Sequence, residues 1–341
     1  MNLDDRKAAV VKIGAGAGQT SQCLLRTISF LAMFFLPSSL MAAGAVTTVR
    51  FDSPALGVSK NYVVYLPEDY ASSRARYPVI YLLHGWGATE RSWTSPALDV
   101  ATTADALRLQ ALIVMPDGDR SFYLNSVTPA NFTQCMAENP PRRNRSEPRD
   151  EFCVRRANYE TYIVEDLVAD VDSRFRTVAQ RGGRALMGES AGGLGALALA
   201  MRHPNRFSAT AAHSAFPALL YDGSKGIRRG PKSFRRNFDS YPEGLQEPVS
   251  ILGKDIANWR AHDPYHLAAK LQPGRLAIYI DCGLDDEAFA LEPTLLFHDR
   301  LLELKIPHAF FIMPGRHDEA FWKERSRHSL AFLRRHFQGG R

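Results

Sequence analysis

One pentapeptide restricts the fold more than any other feature: Gly188-Glu189-Ser190-Ala191-Gly192, set between two segments of opposite character. Ahead of it, Ala185-Leu186-Met187 is a short apolar run with the character of a buried strand. Behind it, Gly193-Leu194-Gly195-Ala196-Leu197-Ala198-Leu199-Ala200 reads as a helix with very small side chains. A serine flanked by glycines between strand and helix describes a sharp turn in which other backbone passes without meeting a Cβ. The helix N-terminus beneath that serine favours negative charge developing nearby. Such a turn needs a sheet with helices laid against it.

The remaining pattern agrees. Apolar runs bounded by turns predict strands at 46–51, 62–66, 79–83, 112–115, 185–187, 276–280 and 309–313, with helical periodicity at 163–175, 193–202 and 294–304. The first two strands are joined by a short linker with Pro54 and Gly57, which predicts an antiparallel pair. The later alternation predicts a mostly parallel sheet with helices on both faces, an α/β fold. No repeat or low-complexity linker divides residues 46–341, so they read as a single domain. Two polar segments, about 125–156 and 221–262, break the alternation. They read as loop excursions that roof a site or, equally, as solvated insertions.

Composition narrows the function classes. With 341 residues and 45% hydrophobic side chains, the chain buries a core without a disulfide scaffold or a metal. Its net charge of +6 is spread too thinly to argue for nucleic acid. The four cysteines form no CxxC pair, and the sequence has no HExxH; Asp117-Gly118-Asp119 lacks the rest of a calcium loop. No cofactor and no metal are expected.

Residues 27–36 form an apolar run preceded by Arg26 and followed by Pro37 and the small residues Ala42, Ala43, Gly44 and Ala45. This describes a secretory leader over 1–45, too short for a comfortable membrane span, with an uncleaved anchor or a buried helix as the other readings. The stretch before Arg26 is long for such a leader and points to a start codon downstream of Met1. Gly14-Ala15-Gly16-Ala17-Gly18 resembles a dinucleotide-binding turn, but Gln19 stands where the third glycine belongs. The expectation is an exported protein, periplasmic or secreted, with no stable membrane span after cleavage. In an oxidising compartment Cys135 and Cys153, close together in one polar segment, are the expected disulfide; Cys282 reads as a buried thiol.

A serine hydroxyl needs a base to take its proton and an acid to orient that base. Both partners are expected later in the chain, past the C-terminal ends of strands. The run 276–280 leads into Asp281-Cys282-Gly283-Leu284-Asp285-Asp286, which leaves three candidate acids. The run 309–313 leads into Pro314-Gly315-Arg316-His317, and His317 is the expected base. His203, His298 and His328 read as surface helix positions, and His84 and His213 as strand-end residues that line the site. After strand 79–83 comes His84-Gly85-Trp86-Gly87, whose backbone, with that of the residue after the serine, can face a developing oxyanion. The donors assigned are the Trp86 and Ala191 N–H groups.

Leu82-Leu83-His84-Gly85-Trp86-Gly87, Val114-Met115-Pro116-Asp117-Gly118, Gly188-Glu189-Ser190-Ala191-Gly192-Gly193, Asp281-Cys282-Gly283 and Pro314-Gly315-Arg316-His317 occur in an order that resembles the putative-esterase family. That family includes esterase D, bacterial acetyl and feruloyl esterases and the antigen 85 mycolyltransferases. The resemblance runs from about Val46 to about Phe332 and implies an α/β-hydrolase fold, a serine-hydrolase mechanism and no cofactor. It also implies Asp286 as the acid, three positions after the glycine. Ala191 departs from the methionine of many members, a change that leaves a backbone donor in place. The expected activity is hydrolysis of a small-molecule or carbohydrate-linked carboxylic ester through an acyl-enzyme. The alternatives are acyl transfer of the mycolyltransferase type, thioester hydrolysis of the S-formylglutathione hydrolase type, or an exported non-catalytic binding protein.

Overall fold

A computed structural model of the chain describes residues 43–138, 148–222, 234–235, 238, 246–286 and 290–339. The expected leader, 1–45, lies almost wholly outside these residues. Among them, eight strands form one sheet: β1 (Ala45–Ser53), β2 (Val58–Leu66), β3 (Val79–Leu83), β4 (Leu112–Pro116), β5 (Arg184–Glu189), β6 (Ala209–His213), β7 (Ala277–Gly283) and β8 (Ala309–Met313). Their spatial order is β1-β2-β4-β3-β5-β6-β7-β8. The β1–β2 hairpin is antiparallel, as its short linker requires, and β2 also runs antiparallel to β4. From β4 through β8 every neighbouring pair is parallel.

Alternation along the strands feeds two cores. In β3, Tyr81 and Leu83 face one side, and Ile80 and Leu82 the other. The first side is covered by α4 (Tyr159–Thr161), a π-helical segment at Tyr162–Leu167, α5 (Val168–Arg174) and α6 (Ser190–Arg202). The second side packs on α1 (Val100–Ala106) and a long C-terminal helix, Glu319–Gly339, through Leu330, Leu333 and Phe337. Helix α6 is buried from Ser190 to Met201, and its small side chains let it lie close to the sheet.

Three features depart from the sequence expectations. The strand β6, Ala-Thr-Ala-Ala-His, lies wholly buried between β5 and β7. Alanine carries little β-propensity, and burial on both faces decided the outcome. The 21-residue C-terminal helix was not anticipated either, because charged residues dilute its apolar face. The excursions, finally, are more than loops. The first contains α2 (Phe132–Glu138) and α3 (Arg149–Arg155), joined by a disulfide between Cys135 and Cys153. The second contains α7 (Gln246–Leu252) and α8 (Ile256–Arg260). Two further helices, α9 (Pro264–Leu267) and α10 (Leu291–Glu303), precede the C-terminal one, hereafter α11.

The second excursion packs on α6: its Ile251, Leu252 and Trp259 cluster with Leu194 and Ala198 of that helix, and with Leu124 and Leu220, the residues just ahead of each excursion. The Val127 N–H donates to the Ile251 carbonyl at 2.8 Å, tying the two segments together.

Candidate active site

The parallel register brings the strand ends into one row: Leu83 opposite Gly188, Glu189 opposite His213, His213 opposite Asp281, and Gly283 opposite Met313. Ser190 follows β5 directly and opens α6 at φ 53°. A non-glycine residue in that left-handed region costs on the order of 1–3 kcal/mol, a strain the packed turn must hold in place. The glycines of the motif explain how. A Cβ on Gly188 would lie 2.4 Å from the Gly192 carbonyl oxygen, and one on Gly192 would lie 2.3 Å from that of Leu83. The end of β3 therefore runs tightly against the first turn of α6. This brings the His84–Gly87 turn beside Ser190.

His317 lies beyond β8, where Gly315 (φ 147°) has its carbonyl oxygen 2.4 Å from any Cβ placed at Gly283. The imidazole Nε2 is 2.9 Å from Ser190 Oγ, and Nδ1 is 2.9 and 3.1 Å from the two Asp286 carboxylate oxygens. Of the three candidate acids, Asp286 is the one that reaches His317. The backbone N–H of Asp285 bonds the Gly315 carbonyl at 3.0 Å, and Asp281 turns to a different histidine. Burial pushes the pKa of Asp286 up, but hydrogen bonding to His317 and that ring's charge bring it below the usual carboxylate range. The Cys282 thiol is buried beside it, donates to Asp286 at 3.5 Å, and is pushed well up by burial and by that carboxylate.

His213 does not line the open site. It is fully buried, with Nδ1 2.8 Å from Asp281 and Nε2 3.0 Å from Ser329 Oγ. Arg325 and Tyr279 complete this cluster by both donating to the other Asp281 oxygen, Oδ2, at 2.9 and 2.7 Å. His84 is also buried. It accepts from the Gly118 N–H at Nε2 (2.9 Å), so its proton sits on Nδ1 and is donated to the Gly85 carbonyl at 2.8 Å. His298 and His203 are less exposed than expected: His298 stacks on Phe310 at 3.8 Å, and His203 bonds the buried Glu160. His328 is exposed.

Asp117 and Asp119 enclose an ammonium group. Lys60 Nζ donates to them at 2.6 and 2.8 Å, and the Tyr159 hydroxyl also bonds Asp119. The turn carrying Gly118 is thus pinned by an internal cation.

Aromatic rings that the sequence did not single out flank the imidazole. Trp322 and Phe216 lie 5.1 and 5.9 Å from it, centroid to centroid. The Trp86 side chain is half exposed, with the Arg120 guanidinium 4.7 Å from its ring centre. Trp322 stands five residues after His317, a spacing that a helix following the histidine would have brought to notice.

A parallel sheet with an antiparallel entry, a strained serine at a strand-to-helix turn, and a histidine–aspartate pair past later strands define the α/β-hydrolase class. The structure of S-formylglutathione hydrolase from Agrobacterium tumefaciens superposes with a TM-score of 0.64 at 20% identity, over 87% of this chain and 96% of that one. The profile of the family described as "Putative esterase" matches residues 53–325, and the chain belongs to that family. It is 28% identical to an esterase of Mycobacterium tuberculosis over 79% of this chain and 54% of that protein, so it spans about half the length of that relative. It is 26% identical to mouse S-formylglutathione hydrolase over 86% of this chain and 93% of that protein.

Proposed function

We propose that this chain is a serine carboxylic-ester hydrolase. The observation that carries the reading is the continuous Ser190–His317–Asp286 hydrogen-bonded chain at the strand ends, with the serine strained at a helix N-terminus. Ser190 Oγ attacks the ester carbonyl as His317 Nε2 takes its proton. Asp286 holds Nδ1 protonated and offsets the imidazolium that forms. The Ala191 N–H, in the first turn of α6 and without an intrahelical acceptor, and the Trp86 N–H receive the oxyanion. The imidazolium then protonates the leaving alcohol. Water, deprotonated by His317, releases the acid and restores Ser190.

Residues 46–341 form the catalytic unit in this reading, and residues 1–45 are an export leader. The Cys135–Cys153 disulfide supports an oxidising compartment. Among the described residues no helix is long and apolar enough to cross a membrane. The substrate is a small-molecule or carbohydrate-linked ester, admitted past the Trp86, Phe216 and Trp322 rings, with the tied excursions bordering the mouth. Export sets the thioester chemistry named for the mouse relative second, because glutathione thioesters belong to reducing compartments.

The test is a panel of p-nitrophenyl esters from acetyl to palmitoyl, with feruloyl and acetylated-sugar esters, run together with fluorophosphonate labelling. Turnover with label on Ser190 is expected. A protein that takes no label and cleaves no ester would sink the reading.

A further inference from the structure

In the proposed reaction the Trp86 N–H must point at the reacting carbonyl, and its direction is set by the peptide unit it shares with the Gly85 carbonyl. A trans peptide is rigid, with C=O and N–H pointing opposite ways. Both peptide units around Gly85 are held by buried side chains. In the His84–Gly85 unit, the carbonyl accepts from the Tyr123 hydroxyl at 2.8 Å and the N–H donates to Glu189 Oε1 at 2.5 Å. In the Gly85–Trp86 unit, the carbonyl accepts from His84 Nδ1 at 2.8 Å. His84, Tyr123 and Glu189 are each at most 2% exposed.

Glu189 is the unexpected member of this clamp. Its carboxyl lies inside the protein, with no hydrogen-bond partner for Oε2 among the described residues, and a Cβ on Gly85 would lie 2.2 Å from that atom. Only glycine at 85 lets the carboxyl reach the turn. We propose that Glu189 is a positioning residue that holds the Gly85 peptide so that the Trp86 N–H faces the oxyanion. This rests on the serine-hydrolase reading and adds to it a residue that touches neither substrate nor His317.

The protonation state of the clamp matters. Burial pushes the Glu189 pKa up to about 8, against the pull of the Gly85 N–H and with a further push from Glu319 on α11. The other titratable groups around it are Tyr123, His84 after β3, His213 opposite it on β6, and the His317–Asp286 pair bonded to its neighbour Ser190. None of these forms an ion pair with it. As a neutral acid, Glu189 accepts from Gly85 without setting a negative charge beside a developing oxyanion. Its ionisation above about pH 8 therefore opposes catalysis.

The experiment compares the full chain with Glu189→Met and Glu189→Gln, using kcat and KM for one p-nitrophenyl ester between pH 6 and 10. A trifluoromethyl ketone that forms an oxyanion on the serine reports the hole directly. Glu189→Met is expected to lower kcat about 10²-fold, the scale of one lost oxyanion donor, with KM nearly unchanged and ketone affinity falling in parallel. Glu189→Gln, which keeps an acceptor, is expected to restore most of the activity at pH 7 and to abolish the decline above about pH 8. Wild-type kcat and ketone affinity in the Met variant would overturn the clamp, as would an unchanged alkaline decline in the Gln variant. Should the Met variant fail to fold, the Gln profile decides. Fluorophosphonate labelling of the unmutated chain separates the two failures. No label at Ser190 removes the hydrolase reading, whereas normal label with an indifferent Glu189 removes only the clamp.

Discussion

Two Asp–His–Ser arrays stand side by side at the end of the sheet. In one, Asp286, His317 and Ser190 are linked at 2.9 Å and 2.9 Å; in the other, Asp281, His213 and Ser329 are linked at 2.8 Å and 3.0 Å. Residue types and distances nearly coincide, and both acids come from β7 or the turn after it. The surroundings differ. Ser190 opens a helix at positive φ, with first-turn N–H groups beside it, and His317 is partly exposed. Ser329 lies within α11, its hydroxyl also engaged by the Ser326 carbonyl, and Asp281 is matched by Arg325 in a sealed interior. Hydrogen-bond geometry alone therefore does not single out a nucleophile. On the proposed serine-hydrolase reading, backbone strain, access and first-turn N–H groups that can receive an oxyanion mark the outer array, while the inner one fastens α11 to β6 and β7.

The largest effect separating the arrays is expected at the serines. Ser190→Ala should lower kcat by on the order of 10⁴-fold or more and abolish fluorophosphonate labelling, with the melting temperature nearly unchanged. Ser329→Ala should leave kcat and labelling intact. A loss of turnover in the second variant would erase the distinction.

At the acids, Asp286→Asn should cost on the order of 10³–10⁴ in kcat, and Asp285→Asn far less. Asp281→Asn should act on stability instead. Removing one partner of a buried ion pair costs about 3–5 kcal/mol, visible as an earlier denaturant midpoint. The pH dependence follows in sign. Burial raises the Asp281 pKa, but His213, Arg325 and Tyr279 bring it below its usual value. Its stabilisation is thus present above the unfolded carboxylate range and lost as pH falls through the depressed folded value. Denaturation curves of the two proteins should converge in acid; constant separation there would contradict the pairing.

A smaller effect is expected at the excursions. In the chain-entropy model a crosslink over a loop of about 15 residues is worth roughly 3 kcal/mol, here confined to the segment between α2 and α3. Cys135→Ser with Cys153→Ser should change KM or ester preference more than the melting temperature. An unchanged ester panel would make this segment ordinary surface. The smallest effect is stability in Ser329→Ala, about 1 kcal/mol for a hydrogen-bonded hydroxyl.

Legibility in the sequence followed the range of the interactions. Ser190 was readable because its glycines, strand and helix are contiguous, and His317 because it sits just past an apolar run. Asp286 needed a family resemblance, since Asp281, Asp285 and Asp286 all follow the same apolar run and only the folded turn decides which reaches the imidazole. The inner array was missed: Asp281 looked like a rival acid and His213 like a lining residue, and Arg325 and Ser329 become their partners only when α11 lies across the sheet. β6 was hidden by alanines, whose strand character comes from neighbours. Glu189 was in view inside the motif, but its contact with Gly85 spans 104 positions.

The floor of the site also constrains what evolution or an engineer can change. At Gly188, Gly192 and Gly195 an added methyl would meet main chain or the Tyr123 side chain at 2.4, 2.3 and 2.8 Å. If Ser190 is the nucleophile, as proposed, acyl preference cannot be remodelled there without dismantling the turn that strains it. Variation is thereby displaced outward, to the half-exposed Trp86 side chain and to the Phe216 and Trp322 rings beside His317. A mutational library aimed at new esters should leave the glycine floor untouched and spend its diversity on that rim.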